Sequence, residues 1–270
     1  MKRDLLTAEP QSITPDPWAD LKSMTAARIA LGRSGVSLPT REVLGFCLSH
    51  AQARDAVHTP LDVAELASRF QADGFNTLDV HSRAADRAVY LRRPDWGRRL
   101  DEASVAKLQA ARRSEPGLAI VVADGLSSLA VARHSLPLVQ ALQDYFPDLP
   151  ACPVVIARQG RVALGDEVGE LLGAKMVAVL IGERPGLSSP DSLGIYLTSH
   201  PQVGLTDAAR NCISNVRPEG LDYPQAARKL AFLIAGAHAL GRTGVDLKDD
   251  SDERLPGEKP PALLMGPAKG

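Results

Sequence analysis

The sequence predicts an α/β fold built on a mostly parallel sheet with flanking helices, and three observations carry that prediction. Short runs of apolar, mostly β-branched residues recur at Leu118 to Ala123, Val154 to Ala157 and Lys175 to Ile181. Each run is followed by a glycine-bearing polar loop, and stretches of helical period lie between them. Strands alternating with helices in this way are the signature of a parallel, Rossmann-like sheet, whose successive loops gather along one edge.

The chain before the sheet is expected to be mainly helical. Residues 1–16, with Pro10, Pro15 and several small polar residues, form a lead-in. From Trp18 to Gly32, Leu21, Met24, Ala27 and Ala30 with Leu31 fit one apolar helical face, and Gly32 and Gly35 end it. A second helix runs from Thr40 towards Val57 on the spacing of Val43, Leu44, Cys47 and Leu48. In Thr59-Pro60-Leu61-Asp62 the hydroxyl can cap the next helix, Pro60 suits its first position and Asp62 faces its positive end. Val63, Leu66, Ala67 and Phe70 give that helix its buried stripe.

After Gly74 the period shortens. Thr77-Leu78-Asp79-Val80-His81 alternates, Ala84-Ala85-Asp86 can turn, and Ala88-Val89-Tyr90-Leu91 returns, which reads as a β-hairpin. Asp95 caps the segment leading to a helix with Leu100, Ala103, Val105 and Leu108. The strand runs then alternate with helices from about Ser128 to Phe146 and from Asp166 to Leu172. Gly194 to Thr198 and Cys212 to Val216 add further strands, and Pro224 to Leu240 is the closing helix. The expected organisation is a lead-in over 1–16, a helical region over 17–75, the sheet domain over 76–245 and a disordered acidic, proline-bearing tail over 246–270.

Composition narrows the function. The 270 residues, 44% hydrophobic and 23% charged, suffice for one substantial core. A net charge of -1 with scattered basic residues offers no general attraction to nucleic acid. No run approaches the roughly 20 apolar residues of a bilayer span, and the first residues lack the apolar core of a secretory signal, so a cytoplasmic location is expected. Cys47, Cys152 and Cys212 are far apart, without zinc or disulfide spacing.

Three loops are the candidate ligand edge. Asp124-Gly125-Leu126-Ser127 can present a carboxylate and a hydroxyl, or simply cap a helix. Gln159-Gly160-Arg161-Val162 sits at the same predicted edge. Gly182-Glu183-Arg184-Pro185-Gly186 is more specific: its glycines permit close backbone approach, and Glu183 and Arg184 add an acceptor and a phosphate-matching fork. Neither the dinucleotide fingerprint nor a Walker-type lysine loop occurs, which disfavours a routine NAD or ATP enzyme. The six histidines show no metal spacing. His50, Arg54 and His58 share one helical face, which a partner could touch but which more commonly stays wet. Asp79-Val80-His81 superficially resembles a cobalt-ligating Asp-x-His-x-x-Gly signature, yet Ala84 replaces the glycine. Gly125-Leu126-Ser127-Ser128 is not a nucleophile elbow. Cys212 reads as a small buried cysteine rather than a nucleophile. No catalytic residue and no metal ligand is assigned.

Taken together and in order, several segments resemble the small (light) subunit of ethanolamine ammonia-lyase over residues 20 to 240. They are Ala27-Arg28-Ile29-Ala30-Leu31-Gly32-Arg33-Ser34-Gly35, Arg93-Pro94-Asp95-Trp96-Gly97-Arg98-Arg99-Leu100, Asp124-Gly125-Leu126-Ser127, Gly160-Arg161-Val162, Gly182-Glu183-Arg184-Pro185-Gly186 and Asn211-Cys212-Ile213-Ser214-Asn215. The resemblance implies an adenosylcobalamin-dependent lyase converting ethanolamine to acetaldehyde and ammonia by radical chemistry. It implies a large β/α-barrel subunit as partner in a heterododecamer, packaged in some bacteria within a microcompartment, with the coenzyme between that barrel and the domain over 76–245. Carried over by motif, the coenzyme contacts fall at Val162, Glu183 and Cys212, while cobalt keeps the coenzyme's own dimethylbenzimidazole. The rival readings are a freestanding transferase for a nucleotide-like ligand and a non-enzymatic partner-binding protein. The transferase explains the three loops equally well but not the arginine-rich segment around Trp96, an anchor of the kind interfaces use, although its arginines could simply satisfy local acids.

Overall fold

A computed structural model describes residues 13–25, 27–112 and 116–253. Its strands are β1 (Thr77–His81), β2 (Leu118–Ala123), β3 (Val154–Arg158), β4 (Met176–Gly182), β5 (Leu193–Ser199) and β6 (Arg210–Val216). They form one sheet in the order β1-β3-β2-β4-β5-β6. The pairs β1·β3, β3·β2 and β2·β4 are parallel, and β5 and β6 return antiparallel. This is the predicted α/β architecture: a mixed, mostly parallel sheet between helices. Every residue of β2 and β4 is buried, as strands covered on both faces must be, and their unbroken apolar runs follow from that.

The helices are α1 (Thr40–His58), α2 (Val63–Ala72), α3 (Arg87–Arg92), α4 (Glu102–Ala111), α5 (Ser128–Gln143), α6 (Leu164–Leu172) and α7 (Tyr223–Leu240). Residues of α2, α5 and α7 bury the larger core against one sheet face, around Phe70, Leu138, Ile156 and Leu230. Residues of α4 and α6 bury the smaller core on the other face, around Leu108, Leu164, Val177 and Val179. Backbone contacts divide the chain into a smaller unit, Met1–Arg54 with Gly186–Ser189, and a larger one, Asp55–Pro185 with Pro190–Gly270. In the smaller unit the Arg28 guanidinium lies over the Phe46 ring, 5.6 Å from its centre, and donates to Ser49.

Four expectations change. The hairpin is absent: β1 is a parallel edge strand, and Ala88 to Leu91 lie in α3, because the Asp86 carboxylate accepts from Val89 N and starts a helix. The first predicted helix shrinks to a 3₁₀ turn at Ala19–Met24. Positive φ angles at Ala30 and Gly32 take the following chain out of helical geometry, and Leu21 and Met24 stay exposed, with no core to reward a longer helix. Asp62, not Thr59, caps α2, and the Thr59 hydroxyl donates instead to Asp55 O. Asp95 makes no capping bond to its short turn, and Asp101 caps α4. Residues 246–253 pack through buried Leu247 and Ser251 and the ion pairs of Arg228 and Lys229 with Asp252, while tail residues 254–270 lie outside the described residues, as do lead-in residues 1–12.

Between α5 and α7, buried His134 carries a pH prediction. Its Nδ1 lies 2.8 Å from the Tyr223 hydroxyl and its Nε2 3.6 Å from Asp191. Burial pushes the imidazole below its ordinary range, against the opposing pull of Asp191. The unfolded chain therefore takes up this proton first as pH falls, so stability present above about pH 6.5 is lost below it. His134→Asn is expected to lose less stability than the parent between pH 8 and pH 5, as read from urea midpoints.

Candidate functional site

The loops after β2, β3 and β4 meet at the carboxyl edge of the parallel strands. Leu126 N donates to Gly182 O at 2.9 Å, and the Asp124 carboxylate accepts from Gln159 N at 2.9 Å and Gly160 N at 3.1 Å. Arg87 completes the junction, donating to Gly125 O at 2.8 Å and Gln159 Oε1 at 3.2 Å. Gly125 holds φ at +55°, a left-handed turn that puts its backbone against Gly182, where a side chain could not fit. Thus three stretches separated by tens of residues become one wall.

In that wall the first loop is structural. Asp124 is buried, which pushes its carboxyl up, while the two amides and Arg87 pull it back towards the charged form. Ser127 caps α5 through Ala130 N and donates to Pro190 O at 2.9 Å. Neither side chain is left to meet a ligand, so the capping alternative accounts for this motif.

Glu183 and Cys212 come together on the face of β5 and β6 that carries Tyr196, at the end of β6 away from the Asp166–Arg210 pair. The backbone N of Glu183 donates to Ser192 O at 2.9 Å. Its carboxylate accepts the Ser192 hydroxyl and lies 3.3 and 3.4 Å from Asn215 N. Gly194 lies beside it: a Cβ there would stand 3.1 Å from Glu183 Oε1 and 3.4 Å from the Tyr196 ring. Tyr196 pairs in register with Cys212, which puts the phenol and the thiol on one face of the sheet. Val162 sits just before α6 and packs, as Tyr196 does, against the smaller core, which puts it on the same sheet face. Glu183, Tyr196 and Cys212 therefore form one group, with Val162 further along the same wall, in the loop after β3 on the other side of β2.

Cys212 departs from its expected buried state. It is exposed, because β6 is the outer strand and α7 covers only the opposite face, where Ile213 is buried. Partial burial and then Glu183 push its thiol up although the Tyr196 hydroxyl pulls it down, so at neutral pH it stays protonated and weakly nucleophilic. Sequence reading missed Tyr196, Ser192, Asn215 and Arg87. For Tyr196 a signal existed, since Gly194-Ile195-Tyr196-Leu197-Thr198 alternates with Ile195 and Leu197 inward. Among the described residues no group of three or more His, Cys, Asp or Glu is placed to hold a metal ion. His81 of β1 is engaged with the Ser82 carbonyl, and Asp79 with Lys107 and Arg158.

Fold and site define a class: an α/β protein with a stitched loop wall and a sheet face on which Glu183, Tyr196 and Cys212 gather. Residues 15–248 match the family model of the ethanolamine ammonia-lyase light chain (EutC). The chain is 55% identical over 257 residues, 93% of its length and 94% of the relative's, to the ethanolamine ammonia-lyase small subunit of Pseudomonas aeruginosa strain UCBPP-PA14. It is 55% identical over 251 residues to that of Ralstonia nicotianae, covering 91% and 93% of the two chains. With that of Pseudomonas putida strain GB-1 it shares 56% identity over 245 residues, covering 88% and 90%. The chain belongs to the ethanolamine ammonia-lyase light-chain family. A small subunit implies a larger partner subunit. No helix among the described residues is long and apolar enough to cross a membrane.

Proposed function

We propose that this chain is the coenzyme-facing small subunit of an adenosylcobalamin-dependent ethanolamine ammonia-lyase, active only in a hetero-oligomer with its large barrel subunit. The observation that carries the reading is the open face of β5 and β6, where Glu183 and exposed Cys212 flank Tyr196 beside the loop wall of Val162. A corrinoid is a broad ring bearing amide arms, and it needs a flat surface with hydrogen-bond acceptors at the rim. The residues fit: Gly194 raises no side chain above the sheet, Glu183 offers a carboxylate fixed by Ser192 and Asn215, and Val162 and Cys212 offer apolar contact.

When bound, adenosylcobalamin supplies the cleavable cobalt–carbon bond from which hydrogen abstraction from ethanolamine starts. The part of this chain is to hold the ring and exclude water. Glu183 accepts from an amide arm, and its two partners keep the carboxylate aimed without a reorganisation cost at binding.

The test is reconstitution. Purified chain, purified large subunit and adenosylcobalamin are expected to release acetaldehyde and ammonia only when all three are present. Lyase activity from this chain alone, or from large subunit and coenzyme without it, would overturn the proposal. Glu183→Gln keeps size and shape but loses the charge-assisted acceptor. It is expected to weaken coenzyme retention about tenfold, followed by cobalamin absorbance after gel filtration of the complex.

A further inference from the structure

The face proposed for the coenzyme holds a residue that motif matching does not reach. Tyr196 lies between Glu183 and Cys212: the strand register sets it directly opposite Cys212 on one side and Val179 on the other. Its ring edge lies beside Gly194, over which the Glu183 carboxylate also sits. The side chain packs partly against the smaller core and keeps part of its surface exposed; α6 lies over β2 and β4 and reaches β6 through the Asp166–Arg210 pair at the far end of that strand.

Resting on the proposed function, we infer that Tyr196 and Gly194 are the floor of the corrinoid site, with the phenol ring as the flat apolar surface and buried Gly194 as the seat that lets the Glu183 carboxylate and the ring lie side by side. The chemistry matches at both positions. An aromatic ring offers a large contact area at low entropic cost, having only two torsions to fix, and here it is steadied by packing against the smaller core. Any side chain at Gly194 would rise against Glu183 Oε1 and the Tyr196 ring, narrowing the floor and pushing aside the acceptor. The competing explanation for Tyr196 is packing alone. It predicts that another bulky apolar residue would serve equally well.

Three variants separate these roles in the complex with the large subunit. Tyr196→Leu keeps apolar bulk under the sheet but loses the flat ring, and it is expected to raise the adenosylcobalamin Kd about tenfold, measured by absorbance titration. Gly194→Val is expected to raise it by a similar factor from the opposite side of the floor. Tyr196→Phe restores the ring and should return Kd to within about twofold of the parent. A second readout is the alkylation rate of Cys212 in a Cys47→Ser background, since Cys152 is buried and its thiol pushed up to about 11. Coenzyme should slow that alkylation in the parent complex and shield it less in Tyr196→Leu and Gly194→Val. If coenzyme binds the parent and shields Cys212, yet Tyr196→Leu and Gly194→Val bind as tightly as the parent, the floor assignment is wrong while the proposed function stands. If the parent complex binds coenzyme without shielding Cys212, or does not bind it, the site reading itself falls.

Discussion

Replacing Arg210 with alanine is expected to cost about 3 to 5 kcal/mol of folding stability, the range for removing one partner of a buried ion pair. Arg210 and Asp166 are 2% and 1% exposed at their side chains, and the guanidinium meets both carboxylate oxygens, at 2.5 and 2.8 Å. It also donates to the Thr198 hydroxyl at 3.2 Å and to Leu205 O at 3.0 Å. Asp166 lies in the first turn of α6 and Arg210 begins β6, so the pair joins the helix over one part of the sheet to the strand that edges the open face. Without the arginine the carboxylate is left in an apolar site.

The sign with pH follows. Burial already pushes the Asp166 carboxyl up and Arg210 opposes it, so in Arg210→Ala the folded-state value rises further. The folded variant then takes up a proton more readily than its unfolded chain, and its deficit shrinks as pH is lowered towards 5. Urea midpoints at pH 8 and pH 5 read both effects. Arg210→Lys keeps the charge but not the two-pronged fork, and should fall between the two. Replacing both residues with leucine removes the stranded charge and should recover most of the loss. A deficit below about 1 kcal/mol in Arg210→Ala would mean that the pair does not anchor β6.

What the sequence revealed follows a physical division. Strands buried on both faces, such as Leu118 to Ala123 and Met176 to Gly182, are unbroken apolar runs that no helix period mimics, so their position and the gathering of their loops were legible. Segments decided by a single local bond were not. Ala88 to Leu91 is too short to show a period, and only the Asp86 cap distinguishes a helix there from a strand. Long-range choices were equally hidden. Nothing local to Thr77–His81 says that it pairs with β3, 77 residues on, or that β6 is an edge strand, which is what exposes Cys212. For the site, the gathering of the three loops at one sheet edge was readable, whereas the duties of Asp124 were not, because its amide partners come from another loop. The return of β5 did carry a clue, since the ten residues from Glu183 to Ser192 contain no helical stretch that could make a parallel crossover.

The wall itself can be broken at one atom. At Gly182 an added Cβ would stand 2.6 Å from the Ser127 carbonyl carbon and 2.7 Å from Asp124 O, and neither neighbour is a side chain that can swing away. Gly182→Ala must therefore push the loop after β2 away from the end of β4, breaking the bond from Leu126 N to Gly182 O. The expected loss is about 3 kcal/mol, read from urea unfolding. Gly186→Ala provides the contrast. Its Cβ would meet only the Ser189 hydroxyl at 2.8 Å, the end of a side chain free to rotate, so a loss under about 1 kcal/mol is expected. The functional consequence separates too. Because Glu183 directly follows Gly182, the first variant should lose coenzyme retention in the complex even at temperatures where it remains folded. Equal stability and equal retention in the two variants would show that the loops do not brace one another, and Glu183 would then need some other cause for its orientation.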